Sequence, residues 1–122
     1  NCLRNPDTTL PLAAQMRNAV EIFIATQPAA YRTPPGMPDF TSLPEFPTGL
    51  DPLQWSRHQM ADYAVRARKI GINYIGACCG AVATHIREMA LSLGKAAPDR
   101  RTWKTGGERP MSAFEYYGHD KK

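Results

Sequence analysis

Ile72-Asn73-Tyr74-Ile75-Gly76-Ala77-Cys78-Cys79-Gly80 is the stretch whose reading decides the fold. The apolar run 72–77 follows Gly71 and closes on a Cys-Cys-Gly turn, and beyond it Val82, Ile86, Met89, Ala90 and Leu93 recur at helical spacing up to Gly94. A short, continuous apolar run is the pattern of a strand covered on both faces, so the order here is strand, tight turn, helix. The vicinal cysteines then lie at the carboxyl end of a buried strand, the edge at which α/β folds collect ligands.

Working outward, Asp51-Pro52 supplies an N-cap and a first-turn proline, and Met60, Tyr63, Ala64 and Ala67 form an apolar stripe that runs to Gly71, which predicts a helix. Residues 28–49 are rich in Pro and Thr, carry Tyr31, Phe40 and Phe46, and read as a long loop of the kind that is functional or disordered. Before it, Ile22-Phe23-Ile24-Ala25 within Glu21–Thr26 reads as a second strand buried on both faces. Thr9 as N-cap, Pro11 in the first turn and the stripe Leu12, Met16, Ala19, Val20 predict a first helix, and residues 1–8 read as the last step of a strand followed by a turn. The order is βαβαβα, an α/β fold with parallel strands and right-handed crossovers. In such a unit all carboxyl ends face the same way, so Cys2 and the Cys78-Cys79 pair share one edge. Because they sit on the first and third strands, a closed barrel would turn them into one interior layer.

The length, 122 residues, suits one compact domain, and the prolines and glycines gathered in residues 28–52 and 94–118 mark irregular stretches. Net charge is +4, but the basic residues are spread over helix faces and the tail without interleaved aromatics, so they read as a solvated surface and not a nucleic-acid groove. No run approaches the roughly 18 apolar residues of a membrane helix, and no segment resembles a secretory signal. A cytoplasmic location is therefore expected, and an odd count of three cysteines argues for free thiols or metal ligands over a disulfide framework. The chain starts at Asn1, one residue before a candidate ligand, which suggests a piece cut from something longer.

Three thiolates with an open fourth position form the catalytic kind of zinc site, whereas structural knots use four ligands and C-x₂₋₄-C spacing. Neighbouring strand residues point to opposite faces. An adjacent pair therefore chelates one ion only where the strand breaks into a turn, which Gly80 permits. A metal so held keeps an incoming thiol deprotonated and suits alkyl transfer to sulfur. Spacing alone leaves two other readings open, cysteines packed as small hydrophobes and a vicinal redox pair.

Asn1-Cys2, Tyr74-Ile75-Gly76-Ala77-Cys78-Cys79-Gly80 and His85-Ile86-Arg87 resemble the zinc-binding signature of the homocysteine S-methyltransferase family. Gln27-Pro28-Ala29-Ala30-Tyr31 and Leu43-Pro44-Glu45-Phe46-Pro47-Thr48-Gly49-Leu50 are similar to its betaine-using branch, and the resemblance covers roughly residues 1–94. It implies the last three βα units of a (β/α)8 TIM barrel, with 1–94 as a partial homocysteine-binding barrel and 95–122 as an extended C-terminal tail. It implies Zn2+ held by Cys2, Cys78 and Cys79, homocysteine activated as thiolate, and methyl transfer from betaine or a related donor to give methionine. Asn1 falls beside the first ligand, as a substrate-pocket residue or a plain structural one. Gly76 and Gly80 would leave the backbone room to turn around the metal. Two small-molecule substrates are the implied partners, with no nucleic acid, no membrane, and a homo-oligomer formed through the tail and its Trp103, Phe114, Tyr116 and Tyr117.

Departures from the family pattern are Ala77, where Gly is common, and Ala83, where a helix-starting Pro is usual; neither removes a ligand. A full barrel takes eight strands and typically about 250 residues. The strands that would carry donor contacts are absent, so no acid, base or donor-binding residue is assigned, and the piece alone is expected to be inactive. His85 can approach the metal but is not a ligand in the family. His58 and His119 read as solvent-exposed, and Trp55 and Phe46 as core or staple contacts before substrate contacts. Glu45 and Asp39 lack a partner that would raise a carboxyl pKa. Two rivals remain at this level: a non-catalytic fragment that needs a partner chain to complete the barrel, and a vicinal-thiol redox module.

Overall fold

In the computed structural model, residues 2–95 are described, so Asn1 and the segment 96–122 lie outside it. Three helices and a small parallel sheet make an α/β unit: α1 (Pro6–Ala19), β1 (Ala25–Thr26), α2 (Arg57–Ile70), β2 (Tyr74–Ile75) and α3 (Ala83–Ser92), with single 3-10 turns at Phe40–Ser42 and Asp51–Leu53. The strands pair in parallel with Ala25 opposite Tyr74 and Thr26 opposite Ile75. Met60, Tyr63, Ala64 and Ala67 from α2 are buried against Leu10 and Ala13 of α1, Ile24 and Ile72 beside the sheet, and Met89 of α3.

Several sequence expectations change in detail. Helix α1 starts at Pro6, capped by the Asn5 side chain, which accepts from the Thr8 N–H at 3.0 Å; Thr9 is buried inside the helix and Pro11 lies in its interior. Residues before it form a turn, so no strand precedes α1 among the described residues. Helix α2 starts after Ser56, not Asp51, because Ser56 and Gln59 close a reciprocal capping box: the Gln59 N–H donates to Ser56 Oγ and the Ser56 N–H to Gln59 Oε1. Asp51-Pro52 starts only the 3-10 turn. Gly71 ends α2 as expected, at φ 91°.

The doubly buried strand over Ile22–Ala25 is not formed. Ile22 and Phe23 are 71% and 88% exposed, and pairing begins only at Ala25. Likewise β2 occupies two residues of the expected six. The 28–49 segment is ordered by a second apolar cluster, in which Ala29, Phe40, Leu43 and Leu50 pack with Tyr31, Met37, Leu53 and Cys79. On α3 the buried residues are His85 and Met89, whereas Val82 and Ile86 of the expected stripe are exposed. No helix among the described residues is long and apolar enough to cross a membrane.

Candidate metal centre

The segment after β1 works as a strap between the two cysteine-bearing turns. On one side the Ala29 N–H donates to the Arg4 carbonyl at 2.8 Å, two residues beyond Cys2, and the Phe40 N–H reaches the Leu3 carbonyl at 3.2 Å. On the other side the parallel ladder continues past β2. Tyr74 N–H donates to Ile24 O, Gly76 N–H to Thr26 O and Cys78 N–H to Pro28 O, each rung two residues on along both segments. The next rung would join Ala30 N–H to Cys78 O. It goes instead to Cys79 O, at 2.7 Å.

That slip of one residue is a bulge, and it resolves the geometric problem of a vicinal pair. Neighbours in a regular strand face opposite sides, whereas an inserted residue re-aims a side chain. The turn then closes through the Ala81 N–H to the Cys78 carbonyl at 3.0 Å, with Gly80 in the left-handed region at φ 79°. Pro28 is the local sequence signal for this, since a residue without an N–H is tolerated in pairing at edges and bulges.

Three sulfurs converge as a result. Cys78 Sγ lies 2.8 Å from Cys2 Sγ, Cys79 Sγ lies 3.1 Å from Cys2 Sγ, and the vicinal pair is 3.8 Å apart. All three cysteines are free; Cys2 is exposed and the pair is half-buried. Sulfurs at 2.3 Å from a tetrahedral zinc would stand about 3.8 Å apart. The vicinal edge has that length, while the two edges to Cys2 are shorter. The donor set, three soft sulfurs and no oxygen, fits a thiophilic ion and leaves a fourth position for another ligand.

Electrostatics divide the cluster. The Cys2 thiol is held below its ordinary value, first by hydrogen bonding from Cys78 and then from Cys79. Cys79 is pushed up to about 12, first by its hydrogen bond with Cys2 and then by burial. The anion is therefore favoured on Cys2, which accepts S–H donation, and disfavoured on Cys79.

His85 is not part of the cluster. It is buried, its Nδ1 accepts from the Val82 N–H at 2.9 Å, and its Nε2 lies 2.7 Å from the Trp55 carbonyl, which can only accept. Those partners assign the proton to Nε2 and make His85 a helix cap, with both ring nitrogens used. His58 is exposed and Trp55 is core, as expected, while Phe46 packs at a tilt against Phe40 with ring centroids 6.0 Å apart. Asp39 has its carboxyl held low by Thr41 and Ser42, and it caps the 3-10 turn that follows. Asn1, His119 and the tail aromatics lie outside the described residues. Sequence reasoning missed Tyr31 and Gln54. The Tyr31 ring lies against Gly80, and the Gln54 side-chain amide donates to the Gly80 carbonyl.

The family model described as homocysteine S-methyltransferase matches residues 1–93. Betaine–homocysteine S-methyltransferase 1 of Danio rerio is 43% identical over 99 residues, which cover 76% of this chain and 25% of that protein. Its counterpart in Mus musculus is 39% identical over 106 residues, covering 82% and 25% respectively. The S-methylmethionine–homocysteine S-methyltransferase of Pongo abelii is 35% identical over 106 residues, covering 82% and 28%. The chain spans about a quarter of the length of these curated relatives.

Proposed function

Since this chain belongs to the homocysteine S-methyltransferase family, we propose that it supplies the zinc site of an enzyme that transfers a methyl group to homocysteine, from betaine or a related donor, to give methionine. Cys2, Cys78 and Cys79 would hold the ion. When bound, zinc supplies Lewis acidity that keeps the acceptor sulfur as a thiolate near neutral pH. The protein's own part is to bring three sulfurs together and to leave one side of them open. Cys2 offers a thiol already biased toward the anion, and the bulge aims Cys78 and Cys79 at it. No residue among those described is assigned as acid, base or donor contact. Betaine is favoured as donor by the names of the more similar relatives.

The observation that carries this reading is the meeting of sulfurs that stand 76 and 77 residues apart in the sequence, within 3.8 Å of one another. The remaining strands of a (β/α)8 barrel, with the homocysteine and donor contacts, would come from the rest of a protein about four times as long. Residues 1–94 form the barrel portion in this reading and 95–122 a tail that joins subunits. Three free thiols suit a reducing compartment such as the cytoplasm.

The test is zinc content per chain before and after Cys78→Ser, with the uptake titrated at pH 6 and pH 8. About one zinc per wild-type chain and a loss of tenfold or more in the variant are expected. Binding must release thiol protons, so affinity weakens as pH falls. Equal zinc content in the two proteins removes the metal reading.

A second reading, that this chain acts only with a partner supplying the other strands, is favoured by the outer edge of β2, which has no strand beside it among the described residues. Gel filtration of the chain with and without a complementary fragment separates the two.

A further inference from the structure

Gly80 is enclosed from two directions. A Cβ placed on it would stand 2.6 Å from Tyr31 Cζ and 2.8 and 2.9 Å from the two Cε atoms, so the phenol end of the ring occupies the space that any side chain there would need. The Gln54 side-chain amide holds the Gly80 carbonyl, and Gln54 is bridged to Tyr31 through the backbone. Tyr31 directly follows Ala30, whose N–H makes the slipped rung to Cys79. The ring is in turn backed by Phe40, 5.0 Å away, and the Phe40 N–H binds the Leu3 carbonyl beside Cys2. One aromatic pair therefore touches both turns that carry the thiols. The contact with Gly80 is made by ring carbons, so the ring acts there through its flat face and bulk.

We propose that Tyr31 is a positioning residue for the three-thiol cluster: its ring, seated on Gly80 and backed by Phe40, keeps the Cys78-Cys79 bulge in the form that turns both sulfurs toward Cys2. This rests on the metal reading above and adds to it a residue that touches no ion. A regular ladder rung from Ala30 to Cys78 would return the two cysteines to opposite faces. The ring excludes the movement of Gly80 toward the strap that such a shift requires.

The test is cobalt(II) titration of the full chain, read by affinity and by the ligand-field and thiolate charge-transfer bands, for wild type, Tyr31→Phe, Tyr31→Ala and Leu43→Ala. Leu43 is buried in the same apolar cluster but touches neither thiol turn in its hydrogen bonds, so it reports general loosening. Tyr31→Phe keeps wild-type spectra and affinity within about twofold. Tyr31→Ala weakens affinity about 10–100-fold, the range for residues that orient metal ligands, and alters the ligand-field bands. Leu43→Ala keeps the wild-type spectrum. If Tyr31→Ala does not fold, Tyr31→Leu, which preserves apolar bulk without the flat ring, decides on the same readout. A Tyr31→Ala protein that binds like wild type, or a Leu43→Ala protein that loses as much, overturns the inference alone. A wild-type chain that takes up no cobalt removes the metal reading and the inference with it.

Discussion

Tyr63 shows what a single buried hydroxyl contributes. It is fully buried on α2, its hydroxyl lies 2.7 Å from Thr26 Oγ1, and it also donates to the Thr26 carbonyl. Tyr63→Phe leaves the buried Thr26 hydroxyl short of a partner and is expected to cost about 1–2 kcal/mol in urea unfolding. Burial pushes the phenol up to about 12 from an ordinary value of 10. Its neutral form is thus favoured by the fold: this contribution is intact below pH 10 and is lost as pH rises from about 10 to about 12, because the unfolded chain ionises first. Unfolding midpoints measured across that range should fall in the wild type and fall less in Tyr63→Phe. At this scale the three thiols that converge were legible, since Cys2, Cys78 and Cys79 stand in a recognisable pattern. The means of their meeting was not, because a slipped rung is a backbone event written only in Pro28 and Gly80. His85 was legible as a helix residue, but its partners, Val82 N–H and Trp55 O, depend on tertiary placement.

Helices were legible by type and misplaced by about a turn. Both α1 and α2 offer two capping signals, Asn5-Pro6 against Thr9 and Pro11, and Asp51-Pro52 against Ser56 with Gln59. The winner is the upstream signal in α1 and the downstream one in α2, because what decides is which side chain reaches the free N–H groups: Asn5 to Thr8, and Ser56 to Gln59. Periodicity does not contain that choice. One consequence is that Pro11 sits exposed within α1, where it removes a helical hydrogen bond. Pro11→Ala is expected to raise stability by about 1–2 kcal/mol, the helical gain being reduced by a more flexible unfolded chain, as read from the urea midpoint. A decrease would mean that the stiffness the proline gives the unfolded chain outweighs the missing helical hydrogen bond. The ion pair of Arg66 with Asp7, at 2.8 Å, links α1 to α2 across an exposed surface and adds little.

For the whole molecule, the α/β class and the parallel pairing follow from the alternation of elements, while the extent of the sheet does not. Ile22 and Phe23 have the composition of a strand covered on both faces, yet composition states only what a segment would bury if a neighbour were there. Tyr74, at 60% exposure, makes the same point on β2, as does the cleft of about 320 Å³ between β2 and α3 lined by Tyr74, Ile75, Ile86 and Leu93. Phe23→Ser is therefore expected to change the unfolding free energy of this chain by no more than about 0.5 kcal/mol, as for surface positions. A loss of several kcal/mol would place Phe23 in a core.

The strap of residues 28–30, bonded to Arg4 on one flank and to Cys78 and Cys79 on the other, also sets an order of events in time. An ion offered to the extended polypeptide meets two sulfurs at most in proximity, and the third arrives only once the middle segment has docked between its neighbours. Under the proposed metal reading, tight capture would then be a late step that reports a finished architecture, and uptake of the ion would double as a check on folding.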